Sequence, residues 1–272
     1  SSRVALSFES SLLSTFLKGS SFAALPLSTK DVDIPYFVQK KIGNHYLLLM
    51  AEGGSDYNHA VTALTAKSLW GPYVPCTINP VLTHRHLGKD YPVQSLGHAD
   101  LVQTPTGDWY AVFLGKRIVE GGLVPLGRET FLCEVSFQNG EPIFNPGIGV
   151  IGNRLKRPLL PWTPVSKTDK QNDFESSALS PEWATMRIPE QPLHHFADGN
   201  LFLSLRPEMA DSLVCPSMLL HRVHSHNFSA ITTMTFSTCQ ANEWAGLVLY
   251  RTAKGYYSLL KGKNEIRLTI DK

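Results

Sequence analysis

The chain reads as all-β, and three features of its sequence carry that expectation. Short apolar or alternating runs recur along it, among them Leu101 to Gln103, Trp109 to Leu114 and Thr130 to Phe137. Turn signals stand between them, Pro105-Thr106-Gly107-Asp108 and Asn139-Gly140, the combination expected of an antiparallel meander. The pattern also repeats. Gly43-Asn44-His45-Tyr46 and Gly107-Asp108-Trp109-Tyr110 each set a turn before an aromatic strand, 64 positions apart, as successive multi-stranded blades would.

At 272 residues the chain is long enough for one large or two medium domains. Its 43% hydrophobic, 10% aromatic and 18% charged residues are those of an ordinary globular protein. A net charge of +2 gives no reason to expect nucleic acid or an anionic membrane as partner, and no run reaches the length of a membrane span. Cys76, Cys133, Cys215 and Cys239 form no C-x-x-C pair, which argues against zinc and assigns no disulfide. Each is expected to be a small buried apolar residue.

In order, Ser1 to Lys30 is an undetermined, serine-rich lead-in with a partly helical stretch expected from Phe8 to Leu17. Lys18 and Gly19 interrupt what could pass for a signal-peptide core, and localisation, secreted or cytoplasmic, is left open. From Asp31 the texture changes: Pro35 to Gln39 reads as a strand, Lys40 to Asn44 as a turn, His45 to Ala51 and His59 to Thr65 as strands, and Ser68 to Tyr73 as a turn closing a blade. His84-Arg85-His86 reads as a solvated loop, since no third metal ligand is near in sequence. Gly97-His98-Ala99-Asp100 and Gly127-Arg128-Glu129-Thr130 read as polar clusters just before strands. They are either ordinary caps and ion pairs or groups presented into a cleft. Trp70, Trp109 and Tyr110 suit the core, with sugar stacking as the alternative. Residues 153–172, with Pro158, Pro161 and Pro164 among alternating basic residues, read as an extended linker. Strand-like runs at Asn200 to Leu203, Phe228 to Phe236, Trp244 to Tyr250, Tyr256 to Leu259 and Ile266 to Ile270 then indicate a β-sandwich over 173–272. Asn227-Phe228-Ser229 has the pattern of an N-glycosylation acceptor, usable only in a secreted protein.

GHADLV, the strand ending in WYAVFLG, and LGRET followed by a strand and NG resemble, in that order, glycoside hydrolase family 43, the five-bladed β-propeller family of β-xylosidases and α-L-arabinofuranosidases. The resemblance covers roughly Asp33 to Gly152. A second one begins at Asp173-Phe174 and is to the concanavalin-like C-terminal domain of family 43 β-xylosidases. The fold it implies is a partial five-bladed propeller over 31–152, about two to two and a half blades, then a partial β-sandwich, with the chain truncated at both ends. Such an open fragment would leave a blade edge unpaired.

The resemblance implies exo-acting hydrolysis of xylan-derived oligosaccharides with inversion. Asp33 would hold the general-acid position, where the family has Glu, and His98 and Arg128 would contact the sugar. Asp is one methylene shorter, and a misplaced acid can cost about a hundredfold. An inverting site also needs a base, roughly 6.5–9.5 Å from the acid; neither Glu9 nor Asp31 stands in a family-like context, so neither that role nor the pKa-tuning Asp is assigned. No cofactor is expected. Some members hold a calcium or water near the histidine, and no ion is inferred here. The alternatives are a non-catalytic carbohydrate-binding remnant and a truncated gene product.

Overall fold

The computed structural model describes residues 37–164, 172–175 and 178–271. The lead-in, its expected helix and Asp33 lie outside the described residues. The chain divides into two compact units, Ser1–Trp162 and Thr163–Lys272, and among the described residues there is no α-helix.

In the first unit, β1 (Phe37–Ile42), β2 (His45–Glu52), β3 (Ala60–Ala66), β4 (Val74–Pro75) and β5 (Leu82–Thr83) form one antiparallel sheet. Its order is β1-β2-β3-β4, with β5 also on β3. A second sheet runs in the order β6 (Val93–Gln103), β7 (Trp109–Arg117), β8 (Glu129–Gln138), β9 (Glu141–Phe144). The turn expected over Lys40 to Asn44 is shorter than that. Ile42 pairs with His45, so only Gly43-Asn44 lies in the loop, and Gly43 has the positive φ, +56°, that a two-residue hairpin needs at its first position. The Gly43 and Gly107 turns each join the first and second strands of their sheet.

Period-two alternation decides how the sheets meet. Leu47, Leu49, Val61 and Ala63 point one way and close on Ala99, Leu101, Ala111, Phe113, Cys133 and Val135; the intervening Leu48 and Leu64 pack on the opposite face with Ala66 and Tyr73. At the rim, the Thr77 N–H and hydroxyl both donate to the Glu141 carboxylate at 3.0 Å. The outer strand of the first sheet is interrupted. Between β4 and β5, Asn79 takes the place of a strand neighbour, accepting from Ala63 N–H at 3.0 Å and donating to Ala63 C=O at 2.8 Å.

Strand β6 departs most from expectation. Only Leu101 to Gln103 reads as strand from the sequence, yet the strand has eleven residues and takes in the whole Gly97–Asp100 cluster. Its pairing with β7 shifts twice, between Gln94 and Gly97 and between Gly97 and Asp100. Each shift is a bulge with one extra residue. The residues facing the core are therefore Val93, Leu96, Ala99 and Leu101, spaced three, three and two apart. Ser95 and His98 sit in the bulges at φ +57° each, a left-handed conformation that costs a non-glycine residue about 1–3 kcal/mol.

His84, expected in a solvated loop, is 1% exposed. Its Nδ1 lies 2.6 Å from the Val93 carbonyl, and the Ile151 N–H donates to Nε2 at 3.0 Å. Those partners require the neutral ring with its proton on Nδ1, and Tyr91 packs edge-on at 4.8 Å. One side chain thus ties the start of β6 to the segment after β9, a long-range fit that a loop motif does not display. Tyr110 is buried while Trp70 is exposed. Cys76 and Cys133 are buried as expected, their thiols pushed up to about 12 mainly by burial; Cys215 is half-buried and Cys239 exposed.

In the second unit, β10 (Trp183–Ala184) pairs with β13 (Leu220–His221), and β11 (His194–Ala197) pairs with β12 (Asn200–Leu203). β14 (Ala245–Thr252), β15 (Gly255–Lys261) and β16 (Ile266–Asp271) form a three-stranded sheet. The strand expected over Phe228 to Phe236 is not formed. The run has β-branched propensity, but a strand also requires a hydrogen-bonded neighbour, and it has none among the described residues. Leu247, Leu259 and Leu268 lie opposite one another across the three-stranded sheet, as do Leu249, Tyr257 and Ile270. All six are exposed.

Two outcomes follow from these arrangements. Burial lowers the His84 pKa below the ordinary value, so the unfolded chain binds its proton first as pH falls. The stability His84 contributes is therefore whole above about pH 6.5 and is lost as pH drops below it. Urea unfolding should show His84→Leu destabilised by about 2 kcal/mol at pH 7.5, from two orphaned backbone groups, with a smaller further loss at pH 5.5 than the parent suffers. The second concerns the two apolar rows on β14–β16, a patch of the kind that drives association. Light scattering should find the chain self-associated, and Leu259→Lys should shift it towards monomer.

Candidate functional site

His98, Arg128 and a residue not expected from the sequence, His59, come together at one end of the first unit. The β2–β3 connection, the N-terminal part of β6 and the β7–β8 connection all reach that end, because antiparallel pairing returns the chain there every second strand.

Each residue is placed by a separate local device. The bulge at Gly97–Asp100 turns His98 out to solvent while Ala99 on its other side goes into the core. Arg128 follows a β-turn in which Gly127 N–H donates to Val124 C=O at 3.1 Å; Pro125 in the second place and Gly127 in the fourth suit that turn. The next residue, Glu129, binds Arg117 through two hydrogen bonds, one of 2.9 Å from Nε to Oε2 and a second from Nη2 to Oε1, so the strand ends that carry Arg128 are clamped. His59 is set by the β2–β3 connection. Its Nδ1 lies 3.2 Å from the Glu52 carbonyl, and the Glu52 carboxylate accepts from Thr62 at 2.8 Å and Arg85 at 3.2 Å. Gly53 has φ +75° and a Cβ there would collide with the Asn58 carbonyl, so this turn requires glycine.

The three groups sense one another electrostatically. The pKa of His98 is lowered by burial and then by the Arg128 charge; that of His59 is lowered chiefly by burial, with His98 and Arg128 adding to it. At neutral pH His98 is therefore an uncharged imidazole that can both donate and accept, next to a guanidinium with five donors. Arg128 is exposed and forms no ion pair among the described residues. Beside His98 an open depression of about 460 Å3 is lined by Asp100, Val102, Val112, Leu114 and Thr130. A neutral donor-acceptor and a guanidinium near a partly apolar surface can together bind an oxygen-rich ligand.

Nearby carboxylates are already engaged: Asp100 with Lys40 at 3.2 Å, Asp56 with Lys116 at 2.9 Å, Glu52 with Arg85 and Glu129 with Arg117. A calcium takes roughly six to eight oxygen donors. Among the described residues no three His, Cys, Asp or Glu side chains gather as a metal site. Asp33 lies outside the described residues. His59 was missed because nothing in Asn58-His59-Ala60 advertises it; its partner is Gly97, 38 positions away.

Residues 28–142 match "Glycosyl hydrolases family 43", and residues 171–270 match "Beta xylosidase C-terminal Concanavalin A-like domain". The chain is 36% identical to a xylosidase/arabinosidase of Butyrivibrio fibrisolvens, over 93% of its own length and 50% of the relative's. It is 34% identical to a non-reducing end alpha-L-arabinofuranosidase of Bacteroides ovatus, over 90% and 46%. Among solved structures, a xylan beta-1,4-xylosidase of Bacillus halodurans superposes with a TM-score of 0.74 at 27% identity, over 88% of this chain and 47% of that one. The Bacteroides ovatus xyloglucan PUL GH43B gives 0.72 at 33%, over 87% and 47%. The chain spans about half the length of the curated relatives it matches. It belongs to glycosyl hydrolases family 43 through residues 28–142 and carries, over 171–270, the concanavalin A-like domain found at the C-terminus of beta-xylosidases.

Proposed function

We propose that this chain forms part of an exo-acting glycosidase that removes a terminal xylosyl or arabinofuranosyl unit from xylan-derived oligosaccharides by single displacement with inversion. In this reading 31–152 is the C-terminal part of the catalytic propeller and 173–272 the β-sandwich. The observation that carries it is the convergence of His98 and Arg128, with the depression on β6–β8 beside His98. Arg128 donates paired hydrogen bonds to sugar hydroxyls and holds neighbouring carboxylates ionised; neutral His98 accepts from or donates to another hydroxyl. Asp33 protonates the leaving oxygen.

Water must also be activated on the opposite side of the sugar ring. The described carboxylates near Arg128 are paired with cations, and a paired carboxylate is a poor base. That observation favours a second reading, a carbohydrate-binding rather than catalytic site. The two readings share their sugar contacts and differ in turnover.

Xylose and L-arabinose titrations followed by NMR should perturb His98 and Arg128, and His98→Ala or Arg128→Ala should weaken binding about tenfold, the loss of about one hydrogen bond, neutral at His98 and charge-assisted at Arg128. The chain should cleave an aryl β-xyloside slowly, about 10²–10⁴-fold below a complete acid–base site. Turnover of xylobiose near 10 s⁻¹, roughly the enzyme median, with Asp33→Ala indifferent, would overturn the acid assignment.

A further inference from the structure

His59 has a ring nitrogen that none of the interactions above employs. The residue is 6% exposed. Its Nδ1–H donates to Glu52, which leaves Nε2 with the lone pair, and Nε2 is buried without a hydrogen-bond partner among the described residues. What that edge of the ring meets is backbone: a Cβ on Gly97 would collide with Cδ2, Nε2 and Cε1 of His59. Gly97 is the residue at which the β6–β7 pairing shifts on both sides, and the next residue is His98, in the left-handed region at φ +57°. A non-glycine residue stays there only when its surroundings over-determine it.

We propose that His59 is a positioning residue for His98: its neutral ring, wedged against Gly97, holds the second bulge of β6 open and sets the direction in which His98 presents its imidazole. The functional consequence rests on the reading of His98 as a sugar contact; the geometry does not. Three features make imidazole the suitable wedge. Its Nδ1–H fixes the ring rotation against Glu52, whose own carboxylate is anchored by Thr62 and Arg85. Its flat edge lies against a glycine, where any side chain would push it away. Burial beside Arg128 and His98 keeps it uncharged, as it must be, because a second N–H would face Gly97 with no acceptor.

The test uses the full chain at pH 7.5 with histidine labelled at Cε1, so that the His98 ring signal reports its surroundings directly. His59→Ala should move that signal and weaken the response to xylose about tenfold or more, the scale expected for a group displaced by an ångström. His59→Asn, which keeps a donor for Glu52 without the ring, should behave like His59→Ala. His59→Phe, which keeps a ring without the donor, should stay nearer the parent. Gly97→Ala should also move the His98 signal, but in the His59→Ala background its methyl enters vacated space. The double variant should therefore lie closer to the parent than the sum of the singles. A His98 signal unchanged in folded His59→Ala, with only the melting temperature lowered, overturns the inference. No response of the parent to xylose or arabinose, with the His98 signal still moving in His59→Ala, overturns the sugar-contact reading and leaves the positioning role standing.

Discussion

Strand β6 meets two demands that a regular strand cannot meet together. It must deliver apolar side chains to the core between the sheets, and it must turn an imidazole to solvent from the middle of its length. Strict alternation would permit that only on the face away from the core. Two inserted residues resolve the conflict: Val93, Leu96, Ala99 and Leu101 remain inside while Ser95 and His98 absorb the additional length in a left-handed conformation. Fixed on one side by β7 and on the other by the β2–β3 connection, this stretch gives the candidate site a rigid floor rather than a mobile loop.

The charges around that floor are sorted. Lys40, Arg85, Lys116 and Arg117 each take a carboxylate. Exposed pairs contribute little to stability, but these take up four carboxylates of the first unit. Two imidazoles, their pKa values lowered by burial (partial at His98) and by the Arg128 charge, lie near that guanidinium. In the proposed reading, His98 and Arg128 present donors to an oxygen-rich neutral ligand, and Arg128 can also hold a carboxylate brought close to it.

Much of the fold was legible from local pattern. The Gly43 and Gly107 turns mark hairpins at equivalent places in two sheets because turn chemistry and alternation are both short-range signals. What local pattern could not show was the role of distant partners. His84 looks like a loop residue until Val93 and Ile151 are placed around it. Phe228 to Phe236 has the composition of a strand, but composition does not supply a neighbour to pair with. At the site, His98 and Arg128 stood out because glycine and charge flank strands there; His59 did not, since what singles it out is the absence of a side chain at Gly97. The bulges hid most of β6 for the same reason, as two extra residues erase the period by which a strand is recognised.

Asn79 has an effect beyond the sheet it belongs to. By standing in for a stretch of outer strand, it divides that border into two-residue pieces, Val74–Pro75 and Leu82–Thr83. A foreign strand seeking to zip onto the sheet finds no run of free amides long enough to template it, and Pro75 withholds one more. Contacts of other chains with this border are thereby steered away from indiscriminate backbone pairing and towards side chains, where sequence can discriminate between partners.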